Sequence, residues 1–121
     1  MRAVFSLPWP PSVNSYWCTM RGGRKFLSPK AKAFRADVID EVLLQSVPGE
    51  RFDGSERLRM HVALFPPDRR IRDIDNVQKS LWDALTHAEV YADDSQIDAV
   101  TIERMGIERG GRVIVTIERM H

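Results

Sequence analysis

Asp73-Ile74-Asp75 sets two carboxylates two residues apart, and an acidic pair, Asp93-Asp94, follows after a segment long enough for one helix. In an extended segment, residues i and i+2 point the same way, so Asp73 and Asp75 are expected to converge. Close carboxylates repel each other unless a cation sits between them. Mg²⁺ suits that place because it takes hard oxygen ligands, often one or two carboxylates with water and phosphate. Asp94 is expected just before a strand, on the far side of the intervening helix. Lys79 stands four residues after Asp75, the spacing of one helical face. An ammonium there can hold the carboxylate array or neutralise charge developing on a phosphoryl group. Asn76 is a candidate phosphate contact. Arg69, Arg70 and Arg72 precede the acids immediately, so the order of the segment describes a metal-dependent phosphodiester site with its own phosphate clamp.

Each motif taken singly has a plainer reading. Asp-x-Asp is commonly a turn or a helix N-cap. An Asp75–Lys79 pair on an exposed helix contributes only about 0.2–0.5 kcal/mol. Asp93-Asp94 can be a solvated turn. The joint order of the motifs favours the site.

The elements that must carry these residues are legible from periodicity. Ala3, Phe5 and Leu7 alternate in a strand Arg2–Leu7, which the prolines at 8, 10 and 11 end. Residues 12–28 are expected to be a loop with a basic tip at Arg21–Lys25. Ser28-Pro29 starts a helix running to about Gln45, with Phe34, Val38, Val42 and Leu43 on its apolar side and Val47-Pro48-Gly49 as its stop. Leu58, Met60, Val62 and Leu64 alternate in a second strand, which Pro66-Pro67 ends. Ile74, Val77, Leu81, Leu85 and Ala88 trace one face of a second helix, with Asp73 or Asp75 placed to cap it. Two further strands, Gln96–Arg104 and Arg112–Glu118, are expected to form a hairpin turning at Gly106, Gly110 and Gly111. The expected fold is α+β: a single domain over 1–121, a small mixed sheet with two main helices packed on one face, in the order β-α-β-α-β-β.

Net charge is only +1, but its distribution is uneven. Seven basic residues and no acid lie between Met1 and Ala36, while the acids gather from Asp73 to Asp98. Such segregation suits a polyanion-binding surface beside an acidic pocket. The single Cys18 excludes an internal disulfide and a cysteine-based zinc site, and makes a reducing, cytoplasmic setting the expectation. No apolar run reaches membrane-spanning length, and the early prolines interrupt any signal-peptide core. Trp9, Trp17 and Trp82 are expected in the core or a dimer contact, His61 and His87 on exposed faces without metal, and Cys18 as an unreactive thiol.

Pro67-Asp68-Arg69-Arg70-Ile71-Arg72-Asp73-Ile74-Asp75-Asn76-Val77-Gln78-Lys79 closely resembles the core motif of the RusA-type Holliday-junction resolvases. So does the continuation Trp82-Asp83-Ala84-Leu85-Thr86 and Asp93-Asp94-Ser95-Gln96, and Leu7-Pro8-Trp9-Pro10-Pro11-Ser12 with Asn14 resembles the family's N-terminal signature. The resemblance implies a homodimeric endonuclease of recombination and repair that resolves four-way junction DNA by paired, symmetric nicks. It implies Mg²⁺ or Mn²⁺ and no organic cofactor. By position it places the catalytic, metal-holding acids at Asp73, Asp75 and Asp94, the catalytic lysine at Lys79, and the basic loop at Arg69, Arg70 and Arg72. Asn14, Arg24 and Lys25 join the candidate DNA contacts. Ile71 interrupts what in the family is often a fuller run of arginines. A non-catalytic DNA-binding module would account for the basic N-terminal third equally well. It would not account for three acids placed where phosphates must approach, since unneutralised carboxylates repel them.

Overall fold

The computed structural model describes residues 2–47 and 51–120. Strand β1 spans Arg2–Leu7, as its alternation predicts. The segment expected to be a loop is more ordered than that. It holds a single helical turn α1, Val13–Tyr16, and a two-stranded ribbon of β2, Trp17–Thr19, and β3, Lys25–Leu27. Gly22 and Gly23 both have positive φ at the ribbon's tip, which is where only glycine turns without strain.

Helix α2 runs Pro29–Gln45. Its N-cap is Ser28, whose hydroxyl accepts from the Ala31 amide, with Pro29 pre-set for the first helical position. Ala31, Phe34, Val38 and Val42 are buried along one side. Leu43, expected on the apolar face, lies 67% exposed, one residue round from Val42. The helix ends with the Ser46 amide on the Val42 carbonyl; Pro48 and Gly49 of the expected stop lie outside the described residues.

Strand β4 spans Leu58–Phe65, β5 Ile97–Arg104 and β6 Arg112–Arg119. Between β4 and β5 the chain makes a 3₁₀ turn at Ile74–Val77, helix α3 at Gln78–His87, and a second 3₁₀ turn at Asp94–Gln96. The main sheet has the order β1-β6-β4-β5. The expected β5–β6 hairpin is therefore not formed: β4 lies between the two strands, antiparallel to β6 and parallel to β5. The reason is burial. Leu58, Met60, Val62, Ala63 and Leu64 are all buried, and a strand this apolar is satisfied only with a neighbour on each side. The glycine-containing connection bonds to the end of β4, through Met105 N–H to the Leu64 carbonyl and Glu108 N–H to the Pro66 carbonyl, before its own turn closes with Gly111 N–H on the Glu108 carbonyl. The parallel β4–β5 pair in turn requires a crossover, which α3 supplies.

Phe5 and Leu7 of β1, Leu58, Met60, Val62 and Leu64 of β4, and Val113, Val115 and Ile117 of β6 bury one face of the sheet in a single core. The apolar sides of α2 and α3 (Phe34, Val38 and Val42; Leu81, Ala84 and Leu85) enter that same core, so both main helices cover one face, as expected. Each of these side chains larger than alanine contributes about 1.5–3 kcal/mol when fully buried. Among the described residues, no helix is long and apolar enough to cross a membrane.

Candidate active site

The site is assembled by two proline-bearing segments that pin the arginine loop and α3 in place. After β1, Leu7-Pro8-Trp9-Pro10-Pro11 runs across the end of the sheet. The Pro11 carbonyl accepts a 2.6 Å hydrogen bond from the Ser80 hydroxyl, which is wholly buried in α3 beside Lys79. Pro66-Pro67 leads into the loop of Asp68 to Arg72. That loop is latched at its C-terminal end. The Arg72 guanidinium pairs with Asp68 at 2.8 Å and lies over the Trp9 ring at 5.8 Å, and Arg104 at the end of β5 donates to the Arg72 carbonyl at 2.5 Å. Its bonds from Arg72 and the Arg70 amide hold the Asp68 carboxyl down at about 2.

The latch divides the three arginines. Arg72 is only 23% exposed at its side chain and is committed to Asp68. Arg70 projects at 82% with a distant 3.8 Å approach to the same carboxylate, and Arg69 has no ionic partner among the described residues. Ile71 between them is fully exposed.

Asp73 is extended, but the chain then turns into the 3₁₀ helix, so Asp75 is already helical. The expected i, i+2 alternation therefore does not operate across this pair. Asp73 sits at the N-cap position without a side-chain cap bond, its carbonyl accepting from the Asn76 amide instead. The 3₁₀ turn that carries Asp75 lies against β5 and against α1, the turn that carries Asn14. Lys79 is the second residue of α3 and exposed. Among the described residues, neither Asp73, Asp75, Asp94 nor Lys79 has an ionic partner.

Asp93 and Asp94 have separate roles. Asp93 is the N-cap of the second 3₁₀ turn: its carboxylate accepts from the Ser95 amide, and Gln96 accepts in return from the Asp93 amide at 3.0 Å. Hydrogen bonding from Ser95, through its side chain and then its amide, lowers the Asp93 pKa. Buried Gln96 also accepts from the Ala92 amide and donates to the carbonyls of Asp53 and Glu56, which fixes the turn to the body. Asp94 is left exposed and free, close enough to α3 to raise the pKa of Asp83 and of the Tyr91 hydroxyl, burial being the larger cause in both.

The donor set is chemically suited to a hard divalent cation: three exposed carboxylates without counter-ions. Among the described residues, no three His, Cys, Asp or Glu side chains close into a ligand set. Arg24 and Lys25 lie at the β2–β3 tip, where the Met20 amide bonds to the Arg24 carbonyl, and both are exposed. Trp9 and Trp82 pack against the core as expected, whereas Trp17 is 48% exposed on the ribbon. His61 pairs with Glu103 at 2.7 Å.

A cluster that periodicity did not single out as functional lies behind this surface. Asp83 of α3 accepts from the Tyr16 hydroxyl and from Arg35 Nε at 2.7 Å, with His87 at 3.8 Å. Its sequence signals are its place in the Trp82–Thr86 segment that resembles the family motif and its four-residue spacing between Lys79 and His87.

Known proteins match this chain along almost its whole length. The family model described as endodeoxyribonuclease RusA matches residues 8–118. The chain is 38% identical over 116 residues to the crossover junction endodeoxyribonuclease rusA of Enterobacteria phage HK97, covering 96% of this chain and 93% of that protein. It is 36% identical over 117 residues to the protein of the same description from Enterobacteria phage 82, covering 95% and 92%. It is 38% identical over 118 residues to crossover junction endodeoxyribonuclease RusA of Escherichia coli strain K12, again covering 95% and 92%.

Proposed function

Because this chain belongs to the RusA endodeoxyribonuclease family, we propose that it is a crossover junction endodeoxyribonuclease that resolves four-way DNA junctions by paired, symmetric nicks in recombination and repair. The observation that carries the reading is the set of unpaired charges around α3. Asp73, Asp75, Asp94 and Lys79 have no ionic partners among the described residues, and the exposed loop before them offers Arg69, likewise without one, and Arg70, whose contact with Asp68 is a distant 3.8 Å. Exposed charges of both signs, left without ionic partners on α3 and on the turns that flank it, suit a substrate and a cation that complete them.

Asp73, Asp75 and Asp94 would hold Mg²⁺, with Mn²⁺ as a substitute. Such an ion, when bound, polarises a phosphoryl oxygen and lowers the pKa of a bound water. The Lys79 ammonium neutralises charge that builds up as the phosphodiester is hydrolysed and the 3′-oxygen leaves. Arg69 and Arg70 contact phosphates, which position the DNA without reading bases. Arg72, tied to Asp68 and Trp9, holds the loop that presents them. Asn14, Arg24 and Lys25 extend the contact surface. A homodimer presents two such sites, matching a substrate with two symmetric strands to cut, and the protein acts in the cytoplasm without an organic cofactor.

The test is a nicking assay on four-way, forked and linear duplex DNA of shared sequence, with and without Mg²⁺. Symmetric nicks confined to the four-way substrate and dependent on Mg²⁺ support the proposal. Equal cutting of forks, or cutting in chelator, contradicts it.

A further inference from the structure

The ribbon of residues 17–27 leaves the body between two residues that are bonded to each other. The Ser28 amide donates to the Tyr16 carbonyl at 2.9 Å, and the Ser28 hydroxyl donates to the Ser15 carbonyl at 2.6 Å while capping α2. Ser28 is buried, and so is Tyr16, at 3% exposure. These bonds close the base of the arm, but they join only α1 to the start of α2. Beyond the shared core, the polar link from that base to α3 is Asp83. Its Oδ2 accepts from the Tyr16 hydroxyl and, at 2.7 Å, from Arg35 Nε, and Arg35 Nε also reaches the Tyr16 hydroxyl at 3.2 Å. One carboxylate oxygen thus binds α1, α2 and α3 together at a site where its side chain is 29% exposed and that of Arg35 is 20%.

The position of this joint matters for the chemistry. Asp83 follows Lys79 by one helical turn on the same side of α3. The arm beyond Tyr16 carries Arg21, Arg24 and Lys25, with exposed Trp17, Met20 and Phe26. A basic ribbon with apolar side chains has little reason of its own to stay in one direction. A hydrogen bond at its base, made to a charged group, restricts its direction with respect to Lys79.

We propose that Asp83 is a positioning residue for the reaction: through Tyr16 and Arg35 it fixes the basic arm 17–27 relative to Lys79, so that arm and catalytic helix meet the DNA in one register. The inference rests on the nuclease reading above for its role in cleavage, but the mechanical coupling stands on the three-helix joint alone.

The experiment compares wild type, Tyr16→Phe, Asp83→Asn and the double variant. Circular dichroism melts establish that each is folded, hydrogen exchange reads the amides of 17–27, and junction affinity and the Mg²⁺ dependence of nicking are measured on the folded proteins. The expected result is faster exchange in 17–27 and an affinity loss of about tenfold in either single variant. The double variant should lose little more than the worse single one, because the two residues share one bond. The Mg²⁺ concentration for half-maximal nicking should not move. Unchanged exchange and affinity in folded variants would overturn the proposal. So would a shifted Mg²⁺ midpoint, which would make Asp83 a ligand, or a loss that vanishes on cooling in step with the folded fraction, which would make it a fold residue only. Should Asp83→Asn fail to fold, Tyr16→Phe carries the comparison, since it removes one hydroxyl and keeps the ring. Wild-type protein that neither binds nor nicks junctions would overturn the nuclease reading and the role in cleavage with it, while the exchange data would still decide whether Asp83 fixes the arm.

Discussion

Gly111 lies so close to Trp9 that a Cβ added to the glycine would stand 2.7 Å from the Trp9 Cβ, and 3.2 Å from Cδ of Pro67. Its φ is +75°, a backbone conformation that side chains other than glycine's rarely adopt. The start of β6 thereby packs against both proline-bearing segments that frame the arginine loop. Trp9 in turn lies under the Arg72 guanidinium. Replacing Gly111 by Ala combines an unfavourable φ with a backbone-side clash, each of order 1 kcal/mol or more. The variant should melt at a clearly lower temperature than wild type and bind junctions more weakly even where it is folded, as calorimetry and a binding titration would read. A melting temperature equal to wild type would mean that the segments separate freely.

Arg69 and Arg70 should account for a measurable part of the salt dependence of DNA binding. Removing one cation from a phosphate flattens the slope of log K against log salt by about 0.9 on B-DNA. In the proposed dimer the loop is presented twice, so Arg69→Ala with Arg70→Ala removes up to about four such pairings and flattens the slope by a few units. The fold should be unaffected, because neither side chain enters the core. Junction affinity across a salt series reads the slope. An unchanged slope in a folded double variant would move the phosphate-binding role to the β2–β3 arm.

The Asp68–Arg72 latch should open in acid. Asp68 is lowered from 3.8 in the free state to about 2 in the fold, chiefly by its bonds to Arg72 and the Arg70 amide. A folded-state pKa below the unfolded one means stability that is present above about 4 and lost as the pH falls through about 2. The Asp68→Asn variant should therefore melt below wild type at neutral pH, and the gap should close as both are taken toward pH 2. A gap independent of pH would show that the carboxylate's charge is not what holds the loop.

Lys79→Ala should lower single-turnover nicking by about 10²-fold at saturating enzyme, the scale of losing a donor that acts on developing charge. Affinity should change little, since one cation is a small share of the DNA-binding surface. Weak binding with normal cleavage at saturation would place Lys79 in docking instead.

How far the fold could be read in advance depends on range. β1 and α2 have the bounds that alternation and the Ser28-Pro29 start predict, because local geometry decides them. The β5–β6 hairpin fails because strand neighbours are chosen by burial of a distant segment, β4, whose pattern says nothing about who flanks it. The β2–β3 ribbon was within reach: Trp17-Cys18-Thr19 and Lys25-Phe26-Leu27 flank Gly22-Gly23, a turn signal in an otherwise polar stretch. At the site, the motif gathers the charged residues as a group in sequence. It does not reveal that Arg72 is latched while Arg69 and Arg70 are exposed, or that Asp93 is spent on a cap while Asp94 is not. Those distinctions come from Asp68, Trp9 and Gln96, partners that only the folded chain identifies. The role of Asp83 is hidden for the same reason, since Tyr16 and Arg35 are remote from it in sequence.

If the carboxylates beside α3 hold the ion that drives phosphodiester hydrolysis, Asp75→Asn is the substitution that tests it most directly. It keeps the shape of an exposed side chain that has no ionic partner among the described residues, and removes its charge. Wild type and variant are compared in one experiment on four-way junction DNA, with binding measured in chelator and single-turnover nicking measured after Mg²⁺ is added. Nicking should fall by about 10²-fold or more, while binding should be equal or tighter because a charge that repels phosphate has gone. Nicking at the wild-type rate, with binding unchanged, would contradict the role of these carboxylates as the ion's ligands.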